Sequence, residues 1–197
     1  MTAASDVTRS YRAQLARRRN ALVADILDIW PGFDADAIRT TWPATMVSTT
    51  ALIQRHGALV AADSARYYAL MRIAAGIDDD YDALALDGVN IDRVATSLEI
   101  TGAQRAWRAV GRGASSDVIA KVALAGVIGS ASRLVLDQGR QTVAGNAKRD
   151  DRARGWERVA SANACDFCSG LAGIPSGADE AFEAHDNCGC SAAPAFG

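Results

Sequence analysis

The placement of the cysteines constrains the fold of this chain more than any other feature of its sequence. All four cysteines lie between residues 165 and 190, as a Cys-x-x-Cys step followed by a His-x-x-Cys-x-Cys step. In a reducing compartment, cysteines and histidine this close in sequence indicate a metal site before they indicate disulfides. The C-terminal part of the chain is therefore predicted to fold around one metal ion.

The predicted ion is Zn²⁺, which prefers four tetrahedral ligands drawn from thiolate and imidazole. Five side chains compete for these four positions, namely Cys165, Cys168, His185, Cys188 and Cys190. We expect the first three to be ligands, with either Cys188 or Cys190 as the fourth. Four protein ligands leave no position for an activated water, so the predicted zinc is structural, and no catalytic or cofactor-binding residue is predicted.

Other interpretations of the cluster stay open. Disulfides would use the same thiols, and a redox-active Cys-x-x-Cys would normally open a helix of a βαβ unit, which this sequence does not predict. The His185-Asp186 pair also suits a metal-dependent hydrolase, although hydrolysis needs further ligands and a general base. His56, the other histidine, lies among apolar residues of a predicted helix and is expected to be structural.

The N-terminal part of the chain predicts an amphipathic helix. From Tyr11 to Ile29, apolar residues recur at spacings of four, seven, four and three, which places them on one face of a helix over residues 8–30. Pro31-Gly32 is expected to end this helix.

A much longer helix is predicted next. Asp34 is expected to cap a short helix that ends before Pro43, because proline disfavours the helical conformation of Trp42. The long helix is then predicted over residues 43–75, with Gly76 as its stop. At about 1.5 Å per residue it would be nearly 50 Å long, so it needs a partner, and the first helix is expected to lie against it.

Residues 76–90 predict an exposed acidic connection, because they combine few strong helix or strand formers with many aspartates. An EF-hand calcium loop is excluded, since Ala83 stands where that loop needs glycine and Val89 where it needs glutamate. The aspartates of this segment are Asp78, Asp79, Asp80, Asp82 and Asp87.

More helices are predicted after this connection. Two short ones cover residues 90–98 and 101–110, and a second long helix begins at Ser115 or Ser116 and ends near Ala147. Its small residues are expected to let another helix approach closely: Gly126, Gly129 and Ala131.

The pattern changes after residue 150. Short strands are predicted over 156–160 and 188–194, with a turn-rich stretch from Asn163 to Gly177 and a brief helix or turn over 182–186. We therefore predict a mainly α fold, an elongated bundle of long helices followed by a small zinc-stapled β-hairpin or αβ module. The helical body is expected to span residues 1–150, and the zinc-binding module residues 151–197.

Charge limits the partners that this sequence predicts. A net charge of −2 and a pI near 5.7 exclude a surface that binds DNA everywhere, but they leave room for a local basic patch. No secretory signal and no uninterrupted apolar run long enough for a membrane helix is found, so neither export nor a membrane partner is predicted. A basic run on the first helix is expected either to contact packaged DNA or an acidic partner, or to be a solvated face: Arg9, Arg12, Arg17, Arg18 and Arg19.

The C-terminal motif resembles that of a known family. Gly155-Trp156-Glu157-Arg158, the two Cys/His steps and Pro194 together resemble the C-terminal motif of the Mu F-like minor head proteins of tailed phages, in the version found in actinobacterial phages. The resemblance is close over residues 155–196, whereas the helical body matches only in style.

This resemblance implies a low-copy minor capsid protein of the virion. Such a protein is expected inside the head near the portal, and in the host cytoplasm during assembly, with roles in head morphogenesis and in DNA packaging or delivery. Its expected partners are the portal protein, other capsid proteins and, as a homo-oligomer, a neighbouring copy. Some members of the family continue into a protease domain, but this sequence stops at Gly197 and predicts no enzyme; the alternative is a capsid maturation protease or a zinc-dependent nuclease.

Overall fold

Three long helices form the body of the protein, and each packs against the other two. They are α1 (Ala3–Ile29), which ends in a 3-10 turn (Trp30–Gly32), α2 (Ile38–Ala74) and α5 (Ser116–Arg149). The predicted mainly α fold with a small C-terminal β module is confirmed. The computed structural model describes residues 2–162, 164–177 and 179–197.

Helix α1 presents its predicted apolar face to the other long helices, with Leu22 and Ile26 fully buried. The Tyr11 ring stacks on the Tyr67 ring of α2 with 4.0 Å between centroids. The Tyr11 hydroxyl shares a 2.6 Å hydrogen bond with the Ser64 hydroxyl. The predicted packing of the first helix against the long helix is therefore confirmed.

The predicted break at Pro43 is wrong, because α2 runs through this residue without interruption. Proline removes the hydrogen bond to the Arg39 carbonyl, but both residues are exposed, so water can take its place. The neighbouring Trp42 is buried edge-on against Phe33, and its Nε1–H donates to Glu99 at 2.9 Å. These tertiary contacts outweigh the local preference of proline.

Helix α2 ends where the sequence predicts, at Gly76. This glycine has φ +75°, and the Ile77 N–H donates to the Arg72 carbonyl at 3.0 Å, which together form a Schellman motif. Residues 77–90 then form a loop without helix or strand, and most of them are exposed, as predicted. Polar side chains of α5 hydrogen-bond the loop backbone, which holds the loop in place.

The two short helices form one continuous rod. α3 (Ile91–Leu98) passes through a π-helical turn (Glu99–Ala103) into α4 (Gln104–Val110). Helix α5 crosses this rod at Gly126, where a Cβ atom would overlap the Thr101 carbonyl. Close approach at this glycine was predicted and is confirmed.

The other small residues of α5 behave differently. A Cβ on Gly129 would lie 3.4 Å from the Asn187 side chain, an ordinary contact that does not require glycine. Gly139, which the sequence analysis missed, allows the closest packing of α5 on α2, because a Cβ there would lie 2.7 Å from the Ser64 hydroxyl.

Within the described residues, one helix, α5, is long and apolar enough to cross a membrane by length and composition alone. The count of uninterrupted apolar residues did not reveal this. Of its most apolar stretch, 56% is buried inside the structure, and a helix at the centre of a bundle meets the same criterion. The apolar character of α5 is therefore explained by its contacts with α1 and α2.

Three strands follow the helices and form an antiparallel sheet in the order β2-β1-β3. They are β1 (Ala153–Val159), β2 (Pro175–Ser176) and β3 (Ser191–Phe196). The first predicted strand is confirmed, whereas the second begins at Ser191 and not at Cys188. A five-residue helix, α6 (Asp166–Gly170), lies between β1 and β2, and Asn163, the predicted start of the turn-rich stretch, lies outside the described residues.

The sheet shares its core with the helices. Trp156, Ala192 and Ala193 belong to the same buried cluster as the apolar residues of the long helices. Three of the cysteines form a second, small buried cluster with Phe182 at its edge. The division of the chain at residue 150 stays a prediction.

Candidate metal site

Helix α6 positions the first two cysteines. Cys165 is the residue before the helix, and its carbonyl accepts a 2.9 Å hydrogen bond from the Ser169 N–H. Cys168 lies one turn later and is almost completely buried, whereas Cys165 is exposed. A single helical turn therefore brings one exposed and one buried thiol to the same site.

A tight turn positions the other half of the site. The Cys188 N–H donates to the His185 carbonyl at 3.0 Å, and Asn187 in this turn has φ +64°, a conformation that asparagine tolerates better than most residues. Cys190 follows just before β3, and its Sγ accepts a 3.5 Å hydrogen bond from the Ser161 N–H. The predicted His-x-x-Cys-x-Cys half is thus a turn that leads directly into a strand.

The two halves converge on each other. Cys165 Sγ lies 3.2 Å from His185 Nε2, and Cys168 Sγ lies 3.8 Å from Cys188 Sγ. Two thiolates on one tetrahedral zinc, with Zn–S near 2.3 Å, stand about 3.8 Å apart. In one group, Cys165, Cys168 and His185, all ligand atoms lie within 4.8 Å of one another. The same holds for a second group, Cys168, Cys188 and Cys190, so Cys168 belongs to both groups.

The orientation of His185 suits a metal ligand. Its Nδ1 lies 2.8 Å from the Asp186 carbonyl oxygen, and only a protonated nitrogen can donate to a carbonyl. When the ring is neutral, the Nε2 lone pair therefore faces Cys165 and is available to an ion. Histidine ligands in proteins commonly donate their other ring N–H to a carbonyl or carboxylate in this way.

A buried arginine of α5 holds the second half of the site. Arg140 is 2% exposed, and it donates to the Cys190 carbonyl at 2.8 and 2.9 Å and to the Cys188 carbonyl at 2.8 Å. Its guanidinium also pairs with Asp137 at 2.6 Å. This side chain therefore fastens the loop that carries two of the thiols to the helical body, and Arg133 of the same helix adds a 3.0 Å ion pair to Asp186.

A second buried arginine contacts the first half. Arg158 of β1 donates to Cys168 Sγ at 3.5 Å and to the Glu183 carbonyl at 2.8 Å. Its guanidinium lies 3.8 Å from the centre of the Phe182 ring, and Arg140 lies 4.8 Å from the same centre. The sequence analysis did not identify either arginine as part of the site. The only sequence feature that could have indicated them is a charged residue within a predicted apolar strand or helix.

The surroundings of Cys165 and Cys168 shift the pKa values of their thiols in opposite directions. A hydrogen bond from the Cys168 N–H lowers the pKa of the exposed Cys165 thiol to about 7, with a further contribution from His185. Burial raises the pKa of the Cys168 thiol to about 12. The hydrogen bond to the Asp186 carbonyl, followed by that to Cys165, raises the pKa of His185. A metal ion that binds here displaces these protons, so binding weakens as the pH falls.

All five predicted donors therefore lie in one cluster that could hold a metal ion. The four cysteines are free, and the 3.8 Å between Cys168 Sγ and Cys188 Sγ is far longer than the roughly 2.05 Å of a disulfide. Both candidates for the fourth position, Cys188 and Cys190, lie within the buried group.

The remaining histidine, His56, behaves as a structural residue. It is 3% exposed, and its Nε2 lies 2.7 Å from Asp25 Oδ2, so α1 and α2 are joined at this point. The hydrogen bond from His56 and the charge of Arg55 lower the pKa of Asp25.

The basic run of α1 divides over two sides of the helix. Arg18 pairs with Asp63 of α2 at 2.7 Å, and Arg17 donates to the Gln14 side chain of its own helix. The other three line a groove between α1 and the C-terminal sheet: Arg9, Arg12 and Arg19.

Fold and site together define a class of protein: a helical body whose C-terminal sheet carries a thiol-rich cluster able to hold a metal ion. The model of the VG15 protein family matches residues 1–197, so the chain belongs to this family. It is accordingly a phage-encoded, virion-related protein. No curated protein and no solved structure matched the chain.

Proposed function

We propose that this chain is a Mu F-like minor capsid protein that lies inside the phage head and contacts the portal protein. In this role it supports head assembly and the packaging or delivery of DNA, together with other capsid proteins. Two observations support the proposal, namely the match to the VG15 family over residues 1–197 and the C-terminal Cys/His motif.

The cluster is proposed to bind one structural Zn²⁺. The observation that carries this proposal is the convergence of five thiol and imidazole donors, two of whose sulfurs stand 3.8 Å apart. Cys165, Cys168 and His185 are the proposed ligands, with Cys188 or Cys190 as the fourth. Because the protein supplies at least as many donors as a tetrahedral ion accepts, no position is left for a reactive water, and the proposed role is not enzymatic.

Metal analysis of the purified chain tests the zinc site. We expect about one zinc per chain, and loss of the metal in Cys168→Ser, because Cys168 belongs to both groups of donors. Cys165→Ser tests an exposed ligand whose loss leaves the buried cluster intact, and Ser169→Ala is the matched control on the same helix. Comparing Cys188→Ser with Cys190→Ser identifies the fourth ligand. A chain without stoichiometric zinc, whose thiols all react freely in the native state, contradicts the proposal.

Analysis of purified virions tests the capsid role. Mass spectrometry is expected to find the chain in mature particles at low copy, and cross-linking is expected to join it to the portal protein. Its absence from particles contradicts the capsid role, and its presence with cross-links only to the shell contradicts portal contact. Protease or nuclease activity that chelators abolish would favour the enzyme alternative.

Contact with packaged DNA through the arginines of α1 stays a prediction. Arg18 is already paired with Asp63 and Arg9 with Asp6, so Arg12 and Arg19 of the groove are tested first. Binding by these residues predicts an affinity that falls steeply with salt concentration.

A further inference from the structure

A groove with a volume of about 800 Å³ lies between α1 and the C-terminal sheet. Its floor is apolar, because buried side chains of all three long helices and of β3 meet there. These are Leu15, Met71, Leu136 and Ala193.

The rim of the groove is basic. Arg9, Arg12 and Arg19 follow one another at helical spacing along α1, and Glu157 of β1 is the acidic residue among those described as lining the groove. Arg12 is half-buried, and within residues 2–162, 164–177 and 179–197 its guanidinium has no hydrogen bond or ion pair. The groove therefore suits a ligand that combines carboxylates with apolar side chains.

The loop at 77–90 has the complementary chemistry. Tyr81 and Ala83 are partly buried and pack against the core, and the residues on either side of each are exposed. Two aspartates and two leucines of the loop are exposed and form an outward row, with Leu84 49% and Leu86 39% exposed. This outward row consists of Asp80, Asp82, Leu84 and Leu86.

Side chains of helix α5 hydrogen-bond the backbone of this loop and hold it in place. Asn146 donates to the Leu84 carbonyl at 2.8 Å and accepts from the Leu84 N–H at 2.9 Å. Gln138 donates to the Asp87 carbonyl at 3.1 Å. Because the backbone is already ordered, little conformational entropy would be lost when a partner binds the outward row.

Four of the five aspartates of the loop are available to pair with a basic partner. Asp79 is engaged, since it pairs with Arg72 and with Arg152. The other four have no hydrogen bond or ion pair from their carboxylates within the described part of the chain: Asp78, Asp80, Asp82 and Asp87.

We propose that the groove of one copy binds the acidic loop of a second copy. The lengths are compatible, because the 17 residues of α1 from Ala4 to Asn20 span about 25 Å and the eight loop residues from Asp80 to Asp87 can span up to about 26 Å. Groove and loop lie on different faces of α5, the groove beside Leu136 and the loop beside Asn146. The contact therefore joins different surfaces of the two copies.

A pair that makes this contact once keeps one free groove and one free loop, so it can extend into a ring or an open chain of copies. Two copies that make the contact twice, each with its loop in the other's groove, form a closed dimer instead. Neither the arginines of the groove nor the aspartates of the loop are candidate metal ligands, so the contact can be tested whether or not the zinc site is confirmed.

Charge reversal on each surface tests the proposal. Arg12→Glu with Arg19→Glu alters the groove, and Asp80→Lys with Asp82→Lys alters the loop. In sedimentation analysis at low salt, each double variant is expected to self-associate at least about tenfold more weakly than the natural chain, because attractive pairs become repulsive. Circular dichroism and metal content check that each variant is folded.

The decisive experiment mixes the two variants. Each keeps one intact surface, and the altered groove of one variant and the altered loop of the other again carry opposite charges, so an equimolar mixture is expected to regain association. Placing all four substitutions in one chain restores opposite charges across the contact and is expected to restore self-association. Arg108→Glu with Arg112→Glu, on exposed positions outside the groove lining, is the matched control and should change nothing.

Four results would overturn the proposal. The first is that the natural chain stays monomeric at low salt, and the second is that neither double variant weakens the association. The third is that the mixture of the two variants stays monomeric, and the fourth is that only the groove variant weakens the association. Salt-sensitive DNA binding that is lost in the groove variant, with a monomeric natural chain, would assign the groove to DNA.

Discussion

Asp150, just after α5, provides the sharpest test of how the helical body is held together. Its carboxylate is buried with the Arg72 guanidinium, at 3% and 4% side-chain exposure. The Tyr68 hydroxyl donates to it at 2.9 Å, and the Arg152 N–H at 3.0 Å. Asp150→Asn keeps the size of the side chain and one carbonyl oxygen, but it removes the charge that neutralises Arg72.

The cost of this substitution follows from the burial of the pair. Loss of one partner of a buried ion pair costs about 3–5 kcal/mol. Asp79, which is 41% exposed, still pairs with Arg72, so we expect the lower end, about 3 kcal/mol. For a chain of this length the melting temperature would fall by about 6–12 °C.

The pH dependence has a definite sign. Burial raises the pKa of Asp150, but the hydrogen bonds from Arg72, the Arg152 N–H and Tyr68 outweigh it and leave the pKa below its ordinary value. The carboxylate therefore stabilises the fold above about pH 4, which is the pKa of aspartate in the unfolded chain. This contribution is lost as the pH falls through the lower pKa that Asp150 has in the folded chain. The stability difference between the natural chain and Asp150→Asn should shrink in acid.

Urea denaturation followed by circular dichroism, between neutral pH and pH 3, measures this difference. Asp151→Asn is the matched control, because its side chain is exposed, and it should change the free energy of unfolding by less than about 0.5 kcal/mol. The reasoning is refuted if Asp150→Asn costs less than about 1 kcal/mol at neutral pH, or if its cost is the same at every pH.

Three further predictions concern packing and the metal site. Gly126→Ala should lower the free energy of unfolding by about 1–3 kcal/mol in denaturation experiments, because a Cβ would overlap the Thr101 carbonyl; Gly111→Ala, where the nearest atom is 3.6 Å away, should be tolerated. Removing the metal with a chelator should lower the melting temperature, and added zinc should restore it; an unchanged melting temperature would argue against a structural ion. Arg140→Met should weaken metal binding about 10–100-fold in competition with a chromophoric chelator, and unchanged affinity would show that the carbonyl contacts do not position the cluster.

Features set by short-range physics were predicted well from the sequence. The apolar face of α1 follows from side-chain periodicity, and the end of α2 at Gly76 follows from the left-handed conformation that glycine accepts. The extent of the acidic loop was also predicted, because aspartate-rich segments cannot bury enough apolar surface.

Features that depend on distant partners were missed. Pro43 did not end its helix, because Trp42 is held by Phe33 and Glu99. The π-helical turn, Glu99–Ala103, joins two helices that the sequence left separate, and helix α5 packs against it.

The same distinction applies to the candidate metal site. The Cys/His spacing identified all five donors in advance, because two short turns bring ligands together over a few residues. It could not identify Arg140 or the pairing of that residue with the carbonyls of Cys188 and Cys190, about 50 residues away in the chain.

By itself, the sequence determined the periodic helix faces, the glycine stop and the set of donor side chains, since each depends on residues within a turn or two of one another. Only the tertiary structure decided that α2 continues through proline, that two arginines contact the thiol cluster, and that a basic groove and an acidic loop lie on different faces of α5. Those features depend on burial and on partners from other elements, and neither is encoded in local spacing.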